Sequence, residues 1–236
     1  MESYSDTINQ VNVTIAMGDM TRHTADAFLV PQFAGGPSYG GVGGAVADSG
    51  AEIGMEKYHA HVKATGEQEY GSALLTPSGG GNSSYLLHVV SVGSERDQEF
   101  ETVFKSVYNA LQAAHDEGLT SVAAPALGTG IIGQLQDEQS ARAMLSAVNL
   151  FSENNPEAEM SVSVVIFGSA AAYNSFLETL QNRTYQNAEP EVGQRDFNMG
   201  QWVQGMQFHA DRENKYMDKI EKKDRIRRVR RYRPKR

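Results

Sequence analysis

Three glycine-rich stretches follow apolar runs in this sequence: "AGGPSYGGVGGAV" at residues 34 to 46, "PSGGGNSS" at 77 to 84 and "GTGIIG" at 128 to 133. Glycine allows positive φ and lets backbone N–H groups come close to a ligand. A helix that starts directly afterwards presents unpaired N–H groups to an anion. The first and third stretches lead into helix-like sequence, "GAVADSGAEIG" and "DEQSARAMLSAV". Two such loops meeting in one crevice, at the carboxyl ends of parallel strands, suit a pyrophosphate. Taken singly, each loop is explained equally well as a turn.

"GTGIIG" is also a G-x-G-x-x-G, the dinucleotide-binding fingerprint, which normally opens the first βαβ unit and has an acid about 20 residues further on. Here it comes late, and the position 20 beyond Gly133 is Glu153, in the turn-like "SENNPE". A Rossmann reading is therefore disfavoured. The chain has no cysteine, which excludes disulfides, thiol nucleophiles and thiolate metal sites. His59 and His61 are two apart and diverge on a helix, while His23, His115 and His209 have no ligand spacing. No metal and no cofactor is expected. His88, inside "YLLHVV", reads as structural. Gln32, Tyr39 and Asp48 are the polar side chains near the first loop, and Asp48 reads as a surface acid early in a helix.

Elements able to position these loops are legible along the chain. "VNVTIAM", "DAFLVPQF", "SALLTP", "YLLHVVSV", "SVAAPAL" and "SVSVVIF" read as strands. In "DQEFETVFKSVYNALQAAHDEG", Phe100, Val103, Phe104, Val107, Leu111 and Ala114 recur at three- and four-residue steps, predicting a helix that stops at Gly118. Further helices are predicted from about 137 to 151 and 171 to 180. Strands alternating with helices imply a mostly parallel sheet covered on both faces.

Beyond Leu180 the composition changes. Residues 1 to 182 read as one domain, 183 to 210 as a polar linker or loosely packed extension, and 211 to 236 as a basic helical or disordered tail. From 219 to 236 there are eleven basic residues against two acids, a surplus of nine; subtracted from the net −8, this leaves −17 on the rest. The tail interleaves Arg225, Arg227, Arg228, Arg230, Arg231 and Arg233 with Ile226, Val229 and Tyr232, a pattern suited to nucleic-acid phosphates. Folding back on the acidic body, a protein partner, nuclear import or an anionic membrane surface are the alternatives. No stretch resembles a signal peptide or approaches the ~20 apolar residues of a membrane span. A cytoplasmic protein is expected, or a nuclear one in a eukaryote.

In order, "VTIAMGDMTRHTADAFLV", "GGVGGAVADSGAEI", "GSALLTPSG", "YLLHVVSVG", "SVAAPALGTGIIG" and "VSVVIFGSAAAYNSFLETL" resemble the macrodomain family over roughly residues 11 to 181. The resemblance implies a three-layer α/β/α sandwich with a mixed, mostly parallel central sheet and an ADP-ribose cleft at the sheet's edge. It implies that Asp19 accepts a hydrogen bond from the adenine amino group, with the backbone of Met20 beside it. It assigns Gly40, Gly41, Val42, Gly43 and Gly44 to the first phosphate and ribose loop. Gly128, Thr129, Gly130, Ile131, Ile132 and Gly133 match the second loop, and Phe167 matches an aromatic against the adenine ring. Without the resemblance, Asp19 reads as a cap and Phe167 as a core residue at a strand end.

Departures bear on activity. Where many hydrolytic members carry N-A-A-N, this chain has Val30, Pro31, Gln32 and Phe33, and Phe33 cannot hydrogen-bond the distal ribose. Gly43 stands where hydrolytic members often have an aspartate, and Ile132 where an aromatic often packs on that ribose. The expectation is a binder of ADP-ribose, or of an ADP-ribosylated macromolecule, with weak or no hydrolysis. One alternative is a hydrolase of ADP-ribosyl or O-acetyl-ADP-ribose bonds that uses substrate phosphate and backbone to place water. The other is a nucleic-acid-binding protein acting through the tail.

Overall fold

The computed structural model describes residues 2–94, 98–130, 132–133 and 135–187. Its centre is a seven-stranded sheet: β1 (Ser3–Ile8), β2 (Val11–Met17), β3 (Ala25–Phe33), β4 (Ala73–Pro77), β5 (Ser83–Val92), β6 (Ser121–Pro125) and β7 (Ser161–Ile166), in spatial order β1-β2-β7-β6-β3-β5-β4. The five strands from β2 to β5 in that order run parallel; β1 and β4 are antiparallel edges. Helices are α1 (Gly41–Val46), α2 (Glu52–Thr65), α3 (Glu99–Asp116), α4 (Asp137–Asn154) and α5 (Ala170–Gln181).

Successive side chains of a strand point to opposite faces, and here both faces are apolar. Ala27, Leu29, Leu87, Val89, Val122, Ala124, Val162 and Val164 enter the larger core, against α3, α4 and α5. Their neighbours Phe28, Val30, Leu86, Ala123 and Val165 enter a second core with Met20, Tyr39, Val46 and Met55, under α1 and α2. Three layers follow directly from strands that are apolar on both sides. Helix α3 buries Val103, Val107, Ala110, Leu111 and Ala114 and ends in a Schellman closure, with Leu119 N donating to Ala114 O and Gly118 N to His115 O.

One feature departs from the sequence reading. Strand β1 is an additional element, joined to β2 by a two-residue turn at Asn9 and Gln10. The side chains of both turn residues donate to Ser152 at the end of α4. Its residues are mostly polar because an edge strand meets solvent. The second glycine stretch, in turn, does not belong with the other two. Because β4 is antiparallel to β5, residues 78 to 82 form the turn between them at the opposite end of the sheet. There a Cβ on Gly80 would lie 2.5 Å from Gly50 O, so glycine serves close backbone packing against the kink between α1 and α2.

The packed body continues to a short turn, Thr184–Asn187, in which Tyr185 is 2% exposed and its carbonyl accepts from Ser146 Oγ. No helix among the described residues is long and apolar enough to cross a membrane. The basic tail, including Arg225, Arg227, Arg228, Arg230, Arg231 and Arg233, lies outside the described residues.

Candidate functional site

At the carboxyl edge of β3, β5 and β6 lies a crevice of about 350 Å³. Loop 1, after β3, contributes Ser38, Gly40, Gly41 and Val42; loop 2, after β6, contributes Gly128, Gly130, Ile132 and Gly133. Pro31 and Pro125 to Leu127 form the floor, and Ser91, Val92, Gly93 and Glu99 close the β5 flank. Among the described residues of the lining there is no lysine, arginine or histidine. The described part of the lining is therefore mostly glycine and small side chains, with Glu99 as its charged residue.

The two helices after these loops behave differently. Helix α1 starts inside the lining, with Gly40 as N-cap and no side-chain cap. Helix α4 starts with a capping box between Gln136 and Gln139 and carries Asp137 and Glu138 in its first turn. Those residues line a separate hollow with Ser175. Loop 2 thus offers its glycine backbone to the crevice, not the amino end of α4.

Gly43 and Gly44 are buried in α1, behind the lining. Thr129 Oγ1 donates to Ala126 O and shapes loop 2; Ile131 lies outside the described residues. Asp19, Met20 and Phe167 stand apart from the crevice lining, at the ends of β2 and β7, where Gly18 N donates to Ile166 O. Asp19 Oδ1 accepts from Thr21 N (3.0 Å) and Thr21 Oγ1 (2.8 Å), so the cap role is occupied by one oxygen. Asp19 Oδ2 faces Arg22 at 3.8 Å. Met20 is packed in the second core, while Phe167 is 81% exposed. Glu99 escaped the sequence reading, although the signal was present: it lies four residues before Val103, on the face that α3 buries.

The family model described as Macro domain matches residues 29–144. An uncharacterised protein of Sulfolobus acidocaldarius is 30% identical over 181 residues, covering 76% of this chain and 96% of that one. The chain belongs to the macro domain family. An uncharacterised Pyrobaculum aerophilum protein is 31% identical, over 74% of this chain and 93% of its own. An uncharacterised Thermotoga maritima protein is 31% identical over 149 residues, and the matched part spans 24% of its length. Among solved structures, the Oceanobacillus iheyensis macrodomain with ADP superposes with a TM-score of 0.70 at 23% identity, covering 78% of this chain and 98% of that one. The Trypanosoma brucei macrodomain in complex with ADP-ribose gives 0.59 at 20% identity, covering 71% and 68%.

Loop 1 of this macrodomain is fixed from below by Gln32. The Ser38 N–H donates to Gln32 Oε1 (2.6 Å), which orients the amide so that Nε2 donates to His88 Nδ1 (2.9 Å). The ring proton then sits on Nε2, facing Thr76 Oγ1 at 2.9 Å. Tyr58 stacks on the imidazole at 4.8 Å and donates to Phe33 O. Burial pushes the His88 pKa down to about 3 and the Tyr58 phenol up to about 12, so both are neutral at physiological pH. Gly43 has a steric reason as well: a Cβ there would be 1.8 Å from Ser38 O. An aspartate at this position is incompatible with the path of loop 1.

Proposed function

We propose that this macrodomain binds ADP-ribose, or the ADP-ribosyl group of a modified macromolecule, and hydrolyses it weakly or not at all. The observation that carries the reading is that two glycine loops from different strand–loop–helix units line one crevice. Their backbone amides supply donors for a diphosphate. Adenine would lie beyond loop 2, with its face on exposed Phe167 and its amino group on Asp19 Oδ2. That the related macrodomains of Oceanobacillus iheyensis and Trypanosoma brucei are known with ADP and ADP-ribose supports the same ligand class here. Weak hydrolysis follows from Phe33 in place of an amide and from Gly43, where no acid fits.

The test is calorimetric titration of the full chain with ADP-ribose, ADP and AMP, alongside Asp19→Ala. Micromolar ADP-ribose binding, weakened about tenfold by the substitution, is expected for the loss of one charge-assisted hydrogen bond. Absence of heat with every nucleotide would sink the reading. Release of ADP-ribose from a modified protein should remain near background; rapid turnover would favour the hydrolase alternative.

A further inference from the structure

We propose that the loop between α2 and β4 forms, with Phe33, a lip outside the crevice that docks the macromolecule carrying the ADP-ribosyl group, and that the carrier it fits is a basic peptide segment. The inference rests on the nucleotide-binding reading above and names its partner.

Among the described residues the exposed large apolar side chains are Ile53, Tyr70 and Phe167. Ile53 lies against Gly79, in the turn between β4 and β5 at the far end of the sheet. The other two stand at opposite ends of the carboxyl edge, for Phe167 follows β7 and Tyr70 lies on Gly93, which follows β5. In the strand order β7-β6-β3-β5, loops 2 and 1 lie between them. Strands lie about 4.8 Å apart, so this path covers about 14 Å. A nucleotide with its base on Phe167 and its diphosphate on the two loops directs its far end, the point of attachment to a macromolecule, toward β5. The carrier then leaves the crevice past Tyr70.

The lip is in place before a partner arrives, which lowers the ordering cost of docking. The Tyr70 hydroxyl donates to Gly93 O at 2.8 Å, and a Cβ on Gly93 would lie 3.7 Å from that hydroxyl and 3.8 Å from the Phe33 ring. Gly93 in turn lines the crevice. Gln68 N donates to Ala34 O and Gly71 N to Val90 O, which laces residues 66 to 72 to the start of loop 1 and to β5. Glu67 Oε1 comes within 3.7 Å of a Cβ on Gly35.

Its chemistry suits a cation. Tyr70 is 42% exposed although its hydroxyl is engaged, and the face of a tyrosine ring attracts lysine and arginine. Glu67 and Glu69 beside it are both exposed. Lys105, whose stem lies against Gly71, is paired with Glu101. Outside the basic stretch 219 to 236 the chain carries a net −17, so the wider field has the same sign. A nucleic-acid carrier would bring phosphates against these carboxylates. A peptide rich in lysine or arginine brings the opposite charge and side chains that stack on the ring.

The experiment titrates the full chain with free ADP-ribose and with two short peptides carrying ADP-ribose on a central serine, one flanked by lysines and one by glutamates. The lysine-flanked peptide should bind about tenfold more tightly than free ADP-ribose, and the glutamate-flanked one no more tightly than the free nucleotide. Salt at about 0.5 M should remove most of that advantage. In the double variant Glu67→Gln, Glu69→Gln, free ADP-ribose should stay within about twofold of its wild-type affinity, while the advantage of the lysine-flanked peptide falls to about twofold or less. A lysine-flanked peptide that binds no better than free ADP-ribose, or an advantage that survives both salt and the double variant, overturns the proposal and leaves the nucleotide site intact. So does an ADP-ribosylated RNA oligonucleotide that gains more over its unmodified form than the lysine-flanked peptide gains over its own. A wild-type protein that binds neither free ADP-ribose nor either peptide overturns the underlying reading, and this one with it.

Discussion

At the residue scale, the consequential side chains are those that shape loop 1 from beneath. Gln32 fell within the altered N-A-A-N segment, and the sequence marked it only as a polar side chain near the first loop. The structure gives it a structural task, since its amide joins the Ser38 backbone to the His88 ring. Replacing it by Ala leaves a buried N–H and a buried ring nitrogen unpaired, and we expect a loss of about 2–4 kcal/mol in urea unfolding, with weaker nucleotide binding. His88 also gives the stability a pH dependence. The unfolded ring takes a proton near pH 6.5, the folded one only near about 3. Its stabilising contribution is therefore complete above about pH 6.5 and is lost progressively as pH falls toward about 3. Unfolding curves across that window should show this decline, and His88→Gln should flatten it. Gly43→Asp is expected to restore no hydrolysis and to destabilise the fold by about 3 kcal/mol or more, because its Cβ meets a backbone carbonyl that cannot move aside cheaply.

Loops and helices show why spacing located two loops of the crevice but not its full wall. Glycine content and a following helix singled out loops 1 and 2, and these are the two loops that share the crevice. Glycine content alone would have added residues 77 to 84, which lead into a strand and which the antiparallel β4 carries to the far end. Within loop 2 the glycines divide by task. A Cβ on Gly133 would lie 2.1 Å from Gly128 O, whereas one on Gly130 meets nothing within 4 Å. Gly130→Val should therefore fold normally, by melting temperature, and lose nucleotide affinity by about tenfold or more because the side chain occupies ligand space. Retained affinity would show that the ligand does not approach loop 2.

For the whole molecule, residues beyond 182 take part in the packing. Tyr185 is buried, and the Ser146 hydroxyl holds its carbonyl at 2.7 Å. A chain ended after Asn187 should be more stable than one ended after Asn182 by about 2 kcal/mol, the order expected for one buried aromatic side chain. Thermal unfolding of the two truncations would measure it.

The sequence by itself determined the main parallel strands and the helices α3, α4 and α5, because apolar periodicity is a local record of which side of an element is buried. Asp26 shows where that record stops. Its carboxylate accepts from the backbone of Thr120 and Ser121, tying β3 to the start of β6 and holding its pKa below the usual value. Nothing in the spacing of residues 26 and 120 announces this contact. The same holds for β1, whose polar face is that of an exposed edge, and for Glu99, which reaches the crevice because β5 and α3 flank β3. Strand order and direction are set by packing between distant segments. Tertiary structure alone therefore decided the order and direction of the strands, and that an acidic residue stood beside the two loops.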